Sequence, residues 1–215
     1  MRLVHFGHAC VLLELNDVRI LFDPGAFSSD FEGERDLDAV LLTHQHYDHI
    51  DAERLPALLA ANPDARLVTD PGSAETVEKL GLPARTVQPG DTLSFGPSGG
   101  ELSVHVVGGQ HATIHPDIPV VPNVGYIVEH GAFYHPGDSF FVPDQRIDVL
   151  GLPTGAPWLK ASEAVDYLRA VAPRIAVPIH EAVLSYPAMH YGLFTNLAPD
   201  GTEVKVLPRA EAVAL

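Results

Sequence analysis

The chain has a single cysteine, Cys10, so no intrachain disulfide can form. Lysine is nearly as scarce, with Lys79, Lys160 and Lys205 the only three. Lys+Arg number 13 against 28 Asp+Glu, a formal net charge of −15. Nucleic-acid binding leaves a basic footprint, and no basic run occurs here, which disfavours a nuclease. The same charge repels anionic membrane surfaces. No run of about 18 apolar residues exists to span a bilayer. His5, His8 and Glu14 break any apolar signal core near the start. The expectation is a cytoplasmic protein that binds neither membrane nor nucleic acid.

What is present describes an ordinary globular chain. The 215 residues suit one large domain spanning 1–215, and a hydrophobic fraction of 46% is enough to fill its core. The 19 prolines and 18 glycines are dispersed, which predicts many turns rather than a disordered tract. Val11–Leu15 and Val18–Phe22 read as strands paired across an Asn16-Asp17 turn. Asp38–Thr43 reads as a buried strand, Ile50–Asn62 as a helix capped by Asp51, and Ala65–Asp70 as a short strand. A helix starts at Ser73 and stops at Gly81. Thr86–Val107 reads as short strands with turns at Pro89-Gly90 and Gly96–Gly100. Val124–Glu129 and Ala132–Tyr134 form a second hairpin. Ile147–Leu152 is a strand, Ser162 caps a helix ended by Pro173, and Arg174–Ile179 and Glu203–Leu207 are strands. The chain reads as two loosely similar halves, each with a hairpin before a strand whose end carries polar residues.

The richest stretch is Thr43-His44-Gln45-His46-Tyr47-Asp48-His49-Ile50-Asp51, where a buried strand hands over to a helix. Such a junction is a frequent address for active-site groups. Neutral imidazoles and carboxylates bind zinc, manganese and iron. His44 and His46 are two apart and point the same way from an extended strand end. Asp48 and His49 face a second position. One ion can hardly use all four side chains, whereas two ions about 3.5–4 Å apart can. His111, Asp138 and His180 follow other predicted strands and complete a set of five His and two Asp, with Asp138 suited to bridge. Two such cations lower the pKa of a bound water from about 15.7 toward about 7 and yield a hydroxide nucleophile. They also stabilise the negative charge that develops on a carbonyl or phosphoryl oxygen. Asp48 can in addition orient the water or relay its proton.

These residues resemble the metallo-β-lactamase superfamily. Thr43–His49 matches its His-x-His-x-Asp-His signature, and His111, Asp138 within Pro136-Gly137-Asp138-Ser139, and His180 fit the remaining positions in order. Asp23, within Leu21-Phe22-Asp23-Pro24-Gly25, resembles the aspartate that supports the ligand loop from behind. Phe6-Gly7-His8-Ala9-Cys10 and Leu21–Pro24 look most like the branch of L-ascorbate-6-phosphate lactonase and related metal-dependent hydrolases. The resemblance covers almost the whole chain. It implies an α/β protein with a four-layer αββα sandwich and a dimetal site at one edge of the sheets. It places His44, His46 and His111 on one ion, Asp48, His49 and His180 on the other, and Asp138 between them. The expected cofactors are two divalent ions, zinc first, with manganese or iron as alternatives. No cysteine occupies a ligand position, so antibiotic hydrolysis is not favoured.

The expected activity is hydrolysis of a small ester, lactone, amide or phosphodiester. An iron-dependent oxidoreductase and, behind it, a nuclease are the alternatives. A non-catalytic metal centre is a further one, though a structural site normally closes one ion with four ligands. For substrate contact the candidates are His8, His115, Trp158 and Lys160. Each has another role open to it: His8 a hydrogen-bonded core residue, His115 the metal ligand in place of His111 or a structural histidine, Trp158 packing, Lys160 a solvated surface charge. Homo-oligomerisation stays open.

Overall fold

The computed structural model describes residues 1–96 and 102–215. Among these, one sheet has the order β14-β1-β2-β3-β4-β5-β6. Its strands are β1 (Arg2–His5), β2 (Val11–Leu15), β3 (Val18–Phe22), β4 (Ala39–Leu41), β5 (Arg66–Thr69), β6 (Ala84–Thr86) and β14 (Val213–Ala214). The other has the order β13-β12-β11-β10-β9-β8-β7. It is built from β7 (Thr92–Phe95), β8 (Leu102–Gln110), β9 (Pro122–Val128), β10 (Phe133–His135), β11 (Val149–Pro153), β12 (Ile175–Ile179) and β13 (Glu203–Val204).

The two halves share one connectivity. β1, β2 and β3 are antiparallel and β3 to β6 are parallel. Likewise β8, β9 and β10 are antiparallel and β10 to β13 are parallel. Parallel neighbours need crossovers, usually helices. α1 (Leu55–Ala60) and α2 (Ala74–Lys79) follow β4 and β5, while α3 (Ala161–Val171) and α4 (Pro187–Leu197) follow β11 and β12.

Alternation along the strands sorts side chains into three apolar layers. Ile20, Phe22, Ala39 and Leu41 meet Val104, Tyr126, Phe133 and Val177 between the sheets. Leu21, Val40 and Leu42 face outward and pack against Leu55, Leu58 and Val77. On the other side Ile127, Leu150 and Leu152 pack against Ala164, Val165, Leu168 and Phe194. This is the expected αββα sandwich. No helix among the described residues is long and apolar enough to cross a membrane.

The local departures have physical reasons. The helix expected over Ile50–Asn62 is regular only over Leu55–Ala60. Asp51 instead caps the preceding turn, its Oδ1 accepting the Glu53 and Arg54 N–H groups, and Pro56 opens the helix where a missing N–H costs nothing. Asn62 closes it by donating to the Leu58 carbonyl. Ser162 lies inside α3 rather than capping it; Lys160, in extended conformation, is the N-cap. The last of the short strands expected within Thr86–Val107 continues to Gln110, whereas the strand expected over Glu203–Leu207 pairs only at Glu203–Val204. Most of the turn expected over Gly96–Gly100 lies outside the described residues.

Candidate metal centre

All the candidate ligands sit at one edge of each sheet. β1, β3 and β4 run the same way because β2 is antiparallel to its neighbours, and β8, β10, β11 and β12 do so around β9. Strand ends on that edge deliver His8, Asp23 and His44–His49 from one sheet, and His111, Asp138 and His180 from the other.

The side chains converge as two groups of donors. His44, His46, His111 and Asp138 form one, and Asp48, His49 and His180, with His8 behind them, form the other; within each, the donor atoms lie within 4.8 Å of one another. Asp138 joins the two. Its Oδ1 is 3.1 Å from both His49 Nε2 and His180 Nε2. Its Oδ2 is 3.3 Å from His111 Nε2 and 4.0 Å from His44 Nε2. His44 Nε2 and His46 Nδ1 approach to 3.0 Å.

The rings are held from behind, which fixes the tautomer. His44 Nδ1 meets Thr43 Oγ1 at 3.1 Å, His49 Nδ1 meets Asp23 Oδ2 at 2.7 Å, and His180 Nδ1 meets the Gly155 carbonyl at 2.6 Å. His111 Nδ1 meets the Ala112 carbonyl. In each case the Nδ1–H donates outward, so the Nε2 lone pair faces the centre. Asp23 also accepts from Thr43 N–H (2.8 Å) and Thr43 Oγ1 (2.7 Å), tying β3 to the ligand loop.

This donor set fits a pair of divalent cations. His49 Nε2, His111 Nε2, His180 Nε2 and Asp138 Oδ1 are buried without hydrogen-bond partners, a costly state unless something else satisfies them. The carboxylates also draw positive charge into the space between the groups. Burial opposes protonation of His180, yet Asp138 pushes its pKa up to about 9. His49 behaves alike, burial losing to Asp138 and Asp23. His44 and His46 are pushed down by burial and by neighbouring imidazoles, which leaves neutral rings able to ligate. Burial raises Asp48, but the nearby His180 and a hydrogen bond from His8 hold its carboxyl below the usual carboxylate range.

The four substrate-contact candidates separate. Trp158 is buried and donates its indole N–H to Asp138 Oδ2 at 2.8 Å, so it braces the carboxylate that faces both groups. His8 is fully buried, with its Nε2 3.1 Å from Asp48 Oδ2. His115 is exposed and accepts the Asp117 N–H, outside both groups. Lys160 is exposed at the start of α3. Sequence reasoning missed Asn123, whose Oδ1 accepts the Asp138 N–H (2.9 Å) while its Nδ2 donates to the Pro136 carbonyl (3.0 Å). Its only signal is a polar residue on an apolar strand.

Comparison with known proteins agrees with this geometry. A family profile described as Beta-lactamase superfamily domain matches residues 2–180. The chain is 52% identical over 219 residues to Protein Rv0786c of Mycobacterium tuberculosis, covering 99% of each. It is 31% identical to a UPF0173 metal-dependent hydrolase of Enterococcus faecalis, again covering 99% of each. Among solved structures, Igni18, a metallo hydrolase from Ignicoccus hospitalis, superposes with a TM-score of 0.76 at 22% identity, over 99% of this chain and 97% of that one. The chain belongs to the beta-lactamase superfamily and has the metallo-β-lactamase fold.

Proposed function

We propose that the chain hydrolyses a small ester, lactone, amide or phosphodiester with two divalent ions, zinc first and manganese or iron as alternatives. The observation that carries this reading is Asp138, with one oxygen turned to each donor group and its Oδ1 left without a hydrogen-bond partner. His44, His46 and His111 would hold one ion, and Asp48, His49 and His180 the other. When bound, the ions supply an acidified water and a Lewis-acid contact for the substrate oxygen. The chain's own residues do the rest. Trp158 holds Asp138 in place, Asp23 orients His49, and Asp48, kept ionised, would accept a hydrogen bond from a water at the centre and so orient it. The names of the hydrolase relatives support hydrolysis, and the Phe6–Cys10 and Leu21–Pro24 stretches place an L-ascorbate-6-phosphate-type lactone on the substrate panel.

Elemental analysis of the purified protein, with an esterase, lactonase and phosphodiesterase panel, tests this. Two ions per chain are expected, and Asp48→Asn should lower kcat by about 10²–10⁴-fold. Full activity in Asp48→Asn would remove the assignment of Asp48. A coloured, iron-loaded protein without hydrolytic turnover would favour the oxidoreductase reading, because these N/O ligands suit iron as well as zinc.

A further inference from the structure

We propose that His8 is the positioning residue of Asp48, and not itself a metal ligand. His8 stands close enough to Asp48, His49 and His180 to be counted a donor of that group. Its hydrogen bonds say otherwise. The Ala182 N–H donates to His8 Nδ1 (3.3 Å), so Nδ1 is the acceptor and the neutral ring carries its proton on Nε2. Nε2–H then donates to Asp48 Oδ2 at 3.1 Å and has no lone pair to offer a cation. Asp48 Oδ2 also faces His180 Nε2 at 3.5 Å, so the oxygen that His8 holds is one turned into the donor group.

Asp48 needs such a hold. It lies on a loop, its side chain is 15% exposed, and it turns on two freely rotating bonds. His8 is fixed on every side. Its own N–H donates to Glu181 Oε1 (3.1 Å), and its carbonyl accepts the His180 N–H (2.7 Å) and a hydrogen bond from His5 Nε2 (2.9 Å). Its ring lies 3.8 Å from that of His180 and 5.2 Å from Phe27, centroid to centroid. The backbone is left-handed at φ 52°, which histidine tolerates better than most residues. A single residue after β1 therefore links the loop after β4, in one sheet, to the end of β12, in the other.

This inference rests on the two-ion reading but not on hydrolysis, so its tests read metal and ring nitrogens rather than turnover. His8→Phe keeps the ring and loses the donor; His8→Gln restores an N–H near the place of Nε2. With zinc and a chelating dye as competitor, His8→Phe should keep one ion at parental affinity and bind the second about 10–100-fold more weakly. His8→Gln should recover most of that loss. Both ions held as tightly as in the parent, or both weakened alike in the two variants, would overturn the proposal. Should His8→Phe fail to fold, the nitrogen NMR shifts of His8 in the zinc-loaded parent decide the matter. Protonated Nε2 with bare Nδ1 is expected, and zinc on Nε2 or a proton on Nδ1 overturns it. Two ions with normal His8 signals but no turnover would instead count against the hydrolase reading alone.

Discussion

At the scale of single residues, the centre depends on side chains that never touch an ion. Trp158 shows how much. Its indole N–H is bound to the Asp138 oxygen that faces His44 and His111, while its ring packs edge-on against Phe140 at 5.1 Å. Trp158→Phe removes the donor and keeps most of the packing. It should weaken zinc binding by about 10-fold or more, read by dye competition, with little change in the circular dichroism spectrum. Unchanged affinity would show that Asp138 needs no brace. The ligands themselves were legible in the sequence because His44, His46, Asp48 and His49 lie in one loop and His111, Asp138 and His180 each follow a strand signal. The braces were not. Trp158 sits 20 positions from Asp138 and Asn123 sits 15, and no periodicity connects residues that meet only through tertiary packing. The sequence shows His8 as a histidine near the site, but its role depends on which of its nitrogens accepts the Ala182 N–H, which no sequence pattern encodes.

At the scale of elements, turns decide where ligands point. Gly25 follows β3 and lies directly under the ligand loop, so that a Cβ there would come within 1.8 Å of the Asp48 carbonyl oxygen. Backbone cannot yield by that much. Gly25→Ala is expected to distort the loop, lowering thermal stability and zinc stoichiometry together. Gly192, in α4, is the contrasting case: a Cβ there meets nothing within 4 Å. Gly192→Ala should raise stability by about 0.5–1 kcal/mol through helix propensity, measured by urea unfolding, and leave metal content alone. The helix α4 was itself invisible in the sequence. Phe194 is its only buried residue, so no apolar stripe at helical spacing announces it. The strands were easier to read because Leu21 and Val40 point to one layer while Ile20, Phe22, Ala39 and Leu41 point to the other, and period-2 patterning survives in both. The helix over Ile50–Asn62 was overextended because apolar spacing does not show that Asp51 spends its oxygen on a turn first.

At the scale of the whole molecule, the centre draws His44, His46, Asp48 and His49 from one sheet and His111, Asp138 and His180 from the other. A bound ion therefore fastens the two sheets across their shared edge. An ion at about 100 times its Kd adds about 2.7 kcal/mol, and about 2–4 °C per kcal/mol is usual for a chain of this size. Stripping both proposed ions by chelation should then lower Tm by roughly 10–20 °C, read by scanning calorimetry with and without added zinc. The matching connectivity of the two sheets carries this into folding rates. Each sheet pairs strands that are neighbours in the chain, apart from the single return of β14 to β1. Local pairing of this kind closes early, whereas the two ligand sets meet only after the sheets have docked. An ion that needs both sets contributes nothing before the rate-limiting barrier if docking comes last. Zinc should thus slow unfolding and leave the refolding rate within about twofold, a pairing that stopped-flow denaturant jumps can measure. Faster refolding with zinc would place the ion at the beginning of assembly instead.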